Sequence, residues 1–187
     1  MTNIQPNLRM DKAAFLAWHQ ENEGRYELAG GRVVMMTGIS RVHARIVRNL
    51  DAVLSSRLDL DHWEVFREFG LDAGPETLRY PDIVVDRADG ANKEYTANEP
   101  VFLAEVLSPS TAAIDLNEKA LEYLQIPSVL AYLVLSQDEP KAWIWIRQED
   151  GFAAEPDIVS KPEASIRIDA LRLEFPLSAA YVGIKFG

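Results

Sequence analysis

Apolar residues recur with a helical period in one long stretch of the chain. After Ser40, a residue type that commonly caps helices, they repeat at steps of three and four at Val42, Ile46, Val47, Leu50, Val53, Leu54 and Leu58. This spacing predicts a helix over residues 40–58 with one buried face. A shorter amphipathic helix is predicted over 11–22, where Asp11 is a candidate cap.

Short runs of β-forming residues, separated by turn residues, predict strands elsewhere. The segments 25–28 and 32–36 flank a Gly-Gly pair, which is typical of a hairpin. Further strands are predicted over 63–71, 78–85 and 100–107. The segments 129–135 and 141–146 are predicted to form a hairpin, and edge strands are predicted near 152–159 and 171–175. A turn over 108–111 leads into a predicted helix over 112–125, with its apolar positions Leu116, Ala120, Leu121 and Leu124 facing the core.

The order of these elements predicts the α/β (α+β) class, with a mixed β-sheet and helices packed against it. The chain has 187 residues, of which 48% are hydrophobic and 26% charged, and this length and composition suit one compact domain. We expect an N-terminal helix at 11–22, a core over about 25–147 and C-terminal strands over 152–187 to form that domain.

Composition narrows the possible functions. The chain contains no cysteine, which excludes disulfides and thiolate metal sites and agrees with a reducing cytoplasm. Its longest apolar run, 129–135, is far too short to span a bilayer, and its start does not resemble a secretory signal. A net charge of −10 opposes binding to nucleic acid, unless part of the acidity forms a metal site or the basic residues cluster.

Two acidic residues stand out against their surroundings. Asp82 lies at the mouth of a predicted buried strand, and Glu105 shares a strand face with apolar residues such as Leu103. Burying the Glu105 charge without a partner would cost several kcal/mol, so it requires a cation or a shifted pKa. Mg²⁺ (or Mn²⁺) suits such carboxylates. The alternative for Asp82 is a carboxylate that accepts hydrogen bonds from a turn.

A lysine follows on the next predicted helix. Asp115, Lys119 and Tyr123 are spaced at i, i+4 and i+8, which places them along one stripe. Lys119 could then reach the metal and stabilise negative charge on a phosphate, or orient the attacking water. The alternative is that Asp115 and Lys119 form an ordinary ion pair on the helix surface.

Basic residues cluster on the helix after Ser40. Arg41, Arg45 and Arg48 form a polar stripe opposite the apolar face, and they are the best candidates for contacts with phosphates. His43 lies on the same helix and could donate to a substrate phosphate. A solvated helix face and a structural histidine are the alternatives.

These residues resemble a family. Pro81-Asp82 followed by Glu105-Val106-Leu107 is similar to the Pro-Asp, Asp/Glu-x-Lys nuclease superfamily. The wider ordered set resembles the Uma-two family of restriction-endonuclease-like proteins over about 25–135, and it comprises Arg25-Tyr26-Glu27-Leu28, Gly31, His43, Asn49-Leu50, Pro81-Asp82, the segment from Glu105 to Thr111, Asp115, Lys119 and Tyr123.

The resemblance implies a restriction-endonuclease-like fold and a site of four residues. Asp82 and Glu105 would bind the metal, Glu27 would be a further acidic residue near it, and Lys119 would replace the superfamily lysine, because Leu107 occupies that position. For Glu27 an ordinary exposed strand carboxylate is the alternative.

The predicted function is that of a Mg²⁺-dependent endonuclease that hydrolyses DNA in the cytoplasm. The alternatives are an inactive nuclease-fold module that binds nucleic acid or protein, and a phosphohydrolase of small substrates. A homodimer is expected, because cutting both strands of a duplex commonly needs two sites. Trp143 and Trp145 are interpreted as core packing or as part of such a dimer surface.

Overall fold

The structure is a computed structural model that describes residues 8–36, 38–91, 93–107 and 114–186. Its α-helices are α1 (Lys12–Glu21), α2 (Arg41–Arg57) and α3 (Lys119–Tyr123), and a π-helical turn, Ile114–Glu118, directly precedes α3. Two short 3₁₀ helices follow at Asp169–Leu171 and Leu177–Tyr181. The strands are β1 (Tyr26–Ala29), β2 (Arg32–Met35), β3 (Trp63–Phe66), β4 (Leu71–Gly74), β5 (Thr77–Arg79), β6 (Ile83–Arg87), β7 (Phe102–Val106), β8 (Ala131–Leu135), β9 (Ala142–Ile146), β10 (Asp157–Val159), β11 (Ser165–Ile168) and β12 (Leu173–Pro176).

The main sheet has six strands in the order β10-β9-β8-β7-β6-β3. Strands β7 and β8 are parallel, with Glu105 paired to Val134, and the other neighbours are antiparallel. A parallel pair requires a long crossover, and here the crossover contains the π-helical turn and α3. This mixed sheet with packed helices confirms the predicted fold class.

Helix α2 covers one face of this sheet. Ser40 caps it by accepting a hydrogen bond from the backbone N–H of His43 at 3.0 Å. Its apolar stripe, which includes Ile46, Leu50 and Leu54, is buried in a core shared with β6 to β9 and the C-terminal strands. The predicted helix 40–58 therefore agrees with the structure within a residue at each end.

A second sheet of four strands, in the order β2-β1-β5-β4, holds the predicted first hairpin. The predicted strand 78–85 is wrong as one element, because β5 belongs to this small sheet and β6 to the main sheet. Pro81 has no N–H for a ladder and separates the two strands. Asp82 consequently lies at the junction between the sheets, directly before β6.

Other boundaries also differ from the prediction. The predicted strand 63–71 divides into β3 and β4, which lie in different sheets, and β11 was not predicted although it pairs with β12. Leu121, predicted to face the core, is 69% exposed, whereas Tyr123 of the polar stripe is fully buried. Trp145 packs in the core, where it stacks on Tyr132 at 5.5 Å. The turn predicted over 108–111 lies outside the described residues.

None of the helices in the described part of the chain has both the length and the apolar character that crossing a bilayer requires.

Leu133 tests the central position of β8. Its side chain is fully buried in the core that the main sheet forms with α2. Leu133→Ala should therefore lower the free energy of unfolding by about 2–5 kcal/mol, because it leaves a cavity. Ile158→Ala on the edge strand β10 is the control, and its effect should stay within about 0.5 kcal/mol because that side chain is exposed. Urea unfolding measures both, and equal losses would contradict the assignment of β8 to the core.

Candidate functional site

A cavity of about 370 Å³ opens where the small sheet, the start of α2, the end of β7 and the crossover helix meet. Every residue of the predicted four-member site lines it. The lining also includes Arg25, Ser40 and Gln137, which are partly or fully exposed. The other polar or charged lining residues are Glu27, His43, Arg79, Asp82, Glu105, Asp115 and Lys119. All seven side chains are buried.

Lys119 lies among three carboxylates. Its ammonium is 2.8 Å from Glu105 Oε1, 3.3 Å from Asp115 Oδ1 and 3.7 Å from Glu27 Oε1. Burial alone would lower the pKa of Lys119, but the attraction of Glu105, Glu27 and Asp115 outweighs it and raises the pKa above its usual value. Lys119 therefore stays protonated at neutral pH. The interpretation of Asp115 and Lys119 as a surface pair is wrong, because both are buried.

Glu105 accepts hydrogen bonds on Oε1 from Lys119 and from the hydroxyl of Tyr123, the latter at 3.0 Å. Burial raises the pKa of Glu105 to about 8, and repulsion from Asp82, Asp115 and Glu27 adds to this, while Lys119 opposes it. The metal-free site thus retains a proton near neutral pH, which lowers the repulsion between its carboxylates.

Asp82 is held by two hydrogen bonds. Its Oδ2 accepts from the backbone N–H of Val106 at 2.7 Å, which ties it to the strand that carries Glu105. Its Oδ1 lies 2.8 Å from Nε2 of His43. The other ring nitrogen of His43, Nδ1, is buried without a hydrogen-bond partner among the described residues. His43 consequently belongs to the cavity.

Glu27 reaches the cavity from β1. Its Oε1 accepts from the backbone N–H of Tyr80 at 3.1 Å and its Oε2 from Arg79 at 3.2 Å. It is buried, so the interpretation of Glu27 as an exposed strand carboxylate is wrong.

Arg79 is a site residue that the sequence analysis missed. Its guanidinium also donates two hydrogen bonds of 2.8 Å to the carboxylate of Glu122 on α3, a bidentate pairing. Burial alone would lower the pKa of Arg79, but the hydrogen bond to Glu122 and the charge of Glu27 raise it further above its usual value. The sequence does contain one indication of this: Arg79 is a charged residue inside a predicted buried strand, two residues before Pro81-Asp82.

The three arginines of the predicted phosphate stripe lie elsewhere. Arg41, Arg45 and Arg48 are exposed on α2, and none of them lines the cavity. The structure separates them from His43, which turns inward to Asp82. Contact of any of these residues with nucleic acid stays a prediction.

The carboxylate and histidine side chains of the cavity can be compared with the ligands that a divalent metal ion requires. Among the described residues, no three His, Asp or Glu side chains already stand together in the geometry of a metal site. Asp82 and Glu105 nevertheless line one cavity, and Mg²⁺ commonly needs only one or two carboxylates because waters complete its octahedron. The chemistry of the donors therefore fits Mg²⁺ or Mn²⁺.

The family is shown by comparison with known proteins. The sequence profile of Uma2 (Uma-two), described as "Putative restriction endonuclease", matches residues 13–180. The chain belongs to this family. The match covers most of the described structure, including every residue of the candidate site.

Individual proteins are also similar to this chain. Two uncharacterized proteins of Synechocystis sp. are similar in sequence: sll1609 is 29% identical over 67% of this chain and 73% of its own length, and slr1290 is 25% identical over 97% and 96%. A crystal structure described as a putative nuclease belonging to DUF820 from Anabaena variabilis superposes with a TM-score of 0.72, covering 89% of this chain and 96% of that one at 16% identity. At that identity the likeness shows the fold.

The raised pKa of Glu105 gives a prediction for the metal-free protein. A carboxyl whose pKa rises from 4.5 unfolded to about 8 folded stabilises the protein fully below pH 4.5, and this contribution is lost as the pH rises towards 8. In a buffer with a metal chelator, the unfolding free energy of the wild type relative to Glu105→Gln should fall between pH 5 and 8 and then level off. Urea unfolding across this range measures it.

Glu64→Gln is the control for this titration, because Glu64 is exposed on β3 and does not line the cavity. It should show no such trend. A difference between wild type and Glu105→Gln that does not depend on pH would contradict the raised pKa.

Proposed function

We propose that the protein is a metal-dependent endonuclease that hydrolyses phosphodiester bonds in DNA. The observation that carries this proposal is the convergence of the Lys119 ammonium on Glu27, Asp115 and Glu105 in a cavity that Asp82 also lines. Membership of the Uma2 family supports the same reaction class.

In this proposal Asp82 and Glu105 hold Mg²⁺ or Mn²⁺, and Glu27 supports the site. When bound, the cation would polarise a phosphoryl oxygen and lower the pKa of a bound water. Glu105 has to lose the proton it retains near neutral pH before it can bind a cation, so cation binding should release a proton. The hydrogen bond from Val106 fixes the Asp82 carboxylate next to the Glu105 strand.

In this proposal Lys119 acts as a fixed cation. Because its carboxylate neighbours raise its pKa, it is unsuited to remove a proton from water at neutral pH. As a fixed cation it can bind a phosphate oxygen and stabilise the negative charge that develops there, or orient the attacking water as a hydrogen-bond donor. Leu107, at the position of the superfamily lysine, packs instead on the apolar cluster of Tyr123 and Tyr132.

Two further features belong to this proposal. Cutting both strands of a duplex at one place would call for two sites, and a homodimer would supply them. The lack of cysteine agrees with a reducing cytoplasm, which we propose as the location.

The proposal is tested on circular DNA, which only an endonuclease can open. Purified protein is incubated with supercoiled plasmid and with single-stranded circles, in Mg²⁺, in Mn²⁺ and in chelator. Cutting should require the cation. Asp82→Asn, Glu105→Gln and Lys119→Met should each lower the rate by about 10²–10⁴-fold, the range that essential charged and proton-transfer groups contribute.

Glu64→Gln, an exposed carboxylate outside the cavity, should cut at the wild-type rate. Retained cutting in all three site variants would refute the site. No cutting, combined with salt-sensitive DNA binding, would favour the inactive binding module, and hydrolysis of a small phosphodiester alone would favour the small-substrate phosphohydrolase.

The exposed arginine stripe on α2 gives a separate prediction about binding. If Arg41, Arg45 and Arg48 each neutralise one phosphate, changing all three to Gln should flatten the slope of log binding constant against log salt by about 3 on duplex DNA and about 2 on a single strand. Fluorescence anisotropy with labelled DNA at several salt concentrations measures this slope. The matched control changes Arg67, Arg87 and Arg167 to Gln, which removes the same charge from exposed positions elsewhere. Equal slopes for both triple variants would remove the stripe from the DNA interface.

A further inference from the structure

A rim of apolar side chains borders the carboxylate cavity. We call Val34, Met35, Met36 and Ile39 the apolar rim, and all four line the cavity. Val34, Met35 and Ile39 are 44–46% exposed, which places large hydrophobic side chains beside a strongly charged site. Val34 pairs directly with Glu27 in the β1–β2 hairpin, so the rim is continuous with the carboxylates.

The cations of the cavity are already engaged by carboxylates. Among the described residues that line it, the arginines and lysines are Arg25, Arg79 and Lys119. Arg25 pairs with Glu68, Arg79 with Glu27 and Glu122, and Lys119 with Glu105, Asp115 and Glu27. A run of phosphates therefore finds little unopposed positive charge here, and the electrostatic attraction that dominates duplex binding is weak.

The depth and size of the cavity limit what can enter. Its carboxylates are buried, and 370 Å³ is near the lower end of the range of about 300–1,000 Å³ for pockets that hold one small molecule. A phosphate in a duplex is fixed to a stacked, paired strand, so it enters such a recess less readily than the phosphate of an unpaired strand. Enzymes that act on a base inside a duplex show that an unpaired or flipped nucleotide can be taken into a fitted pocket.

We propose that the substrate is an unpaired DNA strand, of which one nucleotide enters the cavity; this inference rests on the proposed function. Its phosphate faces Asp82, Glu105 and Lys119, and its sugar and base lie against the apolar rim. Every base has an apolar face, so such a contact tolerates any sequence. The apolar contact replaces the binding energy that the paired cations cannot supply.

The first test compares cleavage of one oligonucleotide as a single strand and as a duplex, in Mg²⁺. The single strand should be cut at least 10-fold faster. The double variant Val34→Ser/Ile39→Ser should raise the KM for the single strand about 10-fold and leave kcat within about 2-fold, because the rim contacts the nucleotide away from the reacting phosphate. The matched control Ile158→Ser/Val182→Ser changes the same residue types at exposed positions outside the cavity and should behave as the wild type.

The second test measures binding without cleavage. Calorimetry in Ca²⁺ compares a thymidine dinucleotide with an abasic dinucleotide that has the same phosphodiester. The thymidine form should bind about 10-fold more tightly, and the rim variant should lose this difference while the control variant keeps it. This measurement separates a contact with the base from a loss of folding, which would weaken both ligands.

The outcomes distinguish this inference from the proposed function. If duplex and single strand are cut at equal rates and the rim variants behave as the wild type, the inference is overturned, whereas the proposed nuclease function is retained. If no DNA is cut under any condition, the nuclease proposal fails, and base-dependent binding still decides whether the rim recognises a nucleotide. Equal affinity for the thymidine and abasic dinucleotides would overturn that recognition.

Discussion

The buried ammonium of Lys119 is the interaction on which the arrangement of the cavity depends. Four carboxylates, Glu27, Asp82, Glu105 and Asp115, line one small space, and their mutual repulsion is reduced by this buried cation and by the proton that Glu105 retains. Lys119 contacts residues of β1, β7 and the π-helical turn at once. Arg79, on β5, likewise forms ion pairs with Glu27 and Glu122. Ionic contacts thus join the small sheet, the main sheet and the crossover helix at the point where the chemistry is proposed.

Lys119 lies on a helix, and its inward direction is related to the π-helical turn that begins the crossover between β7 and β8. The π-helical turn Ile114–Glu118 leads directly into α3, and π-helical turns often occur at functional sites because they redirect side chains. Here Asp115 and Lys119 both face inward, and Tyr123 on the next turn donates to the same Glu105 oxygen that Lys119 contacts. The Lys119 ammonium can therefore reach the carboxylate of Glu105 from the helix, while Leu107, one residue beyond the end of β7, contributes to packing.

The sequence predicted much of this, and its failures have physical causes. Glu105 was recognisable because a charge inside an apolar strand has to find a partner, and α2 was recognisable from a sustained period. The break between β5 and β6 was missed because both flanking runs are apolar, although Pro81 marked it. An unbroken strand would place Arg79 and Asp82 on opposite faces, because its side chains alternate, and the break removes that constraint. His43 was grouped with the arginines by helical proximity, whereas only tertiary contacts show that it turns inward to Asp82.

The charge of the cavity bears on how an acidic protein would act on a polyanion, as proposed. The carboxylates lining the cavity, or pairing with its cations, outnumber those cations, so a phosphate that enters without a metal meets net negative charge. A divalent cation would reduce this negative charge and place positive charge beside the phosphate. Cation and phosphate would then favour each other's binding, and by linkage each would raise the affinity for the other by the same factor. A net charge of −10 therefore argues against metal-free attachment to nucleic acid, and it is compatible with metal-dependent hydrolysis at a recessed site.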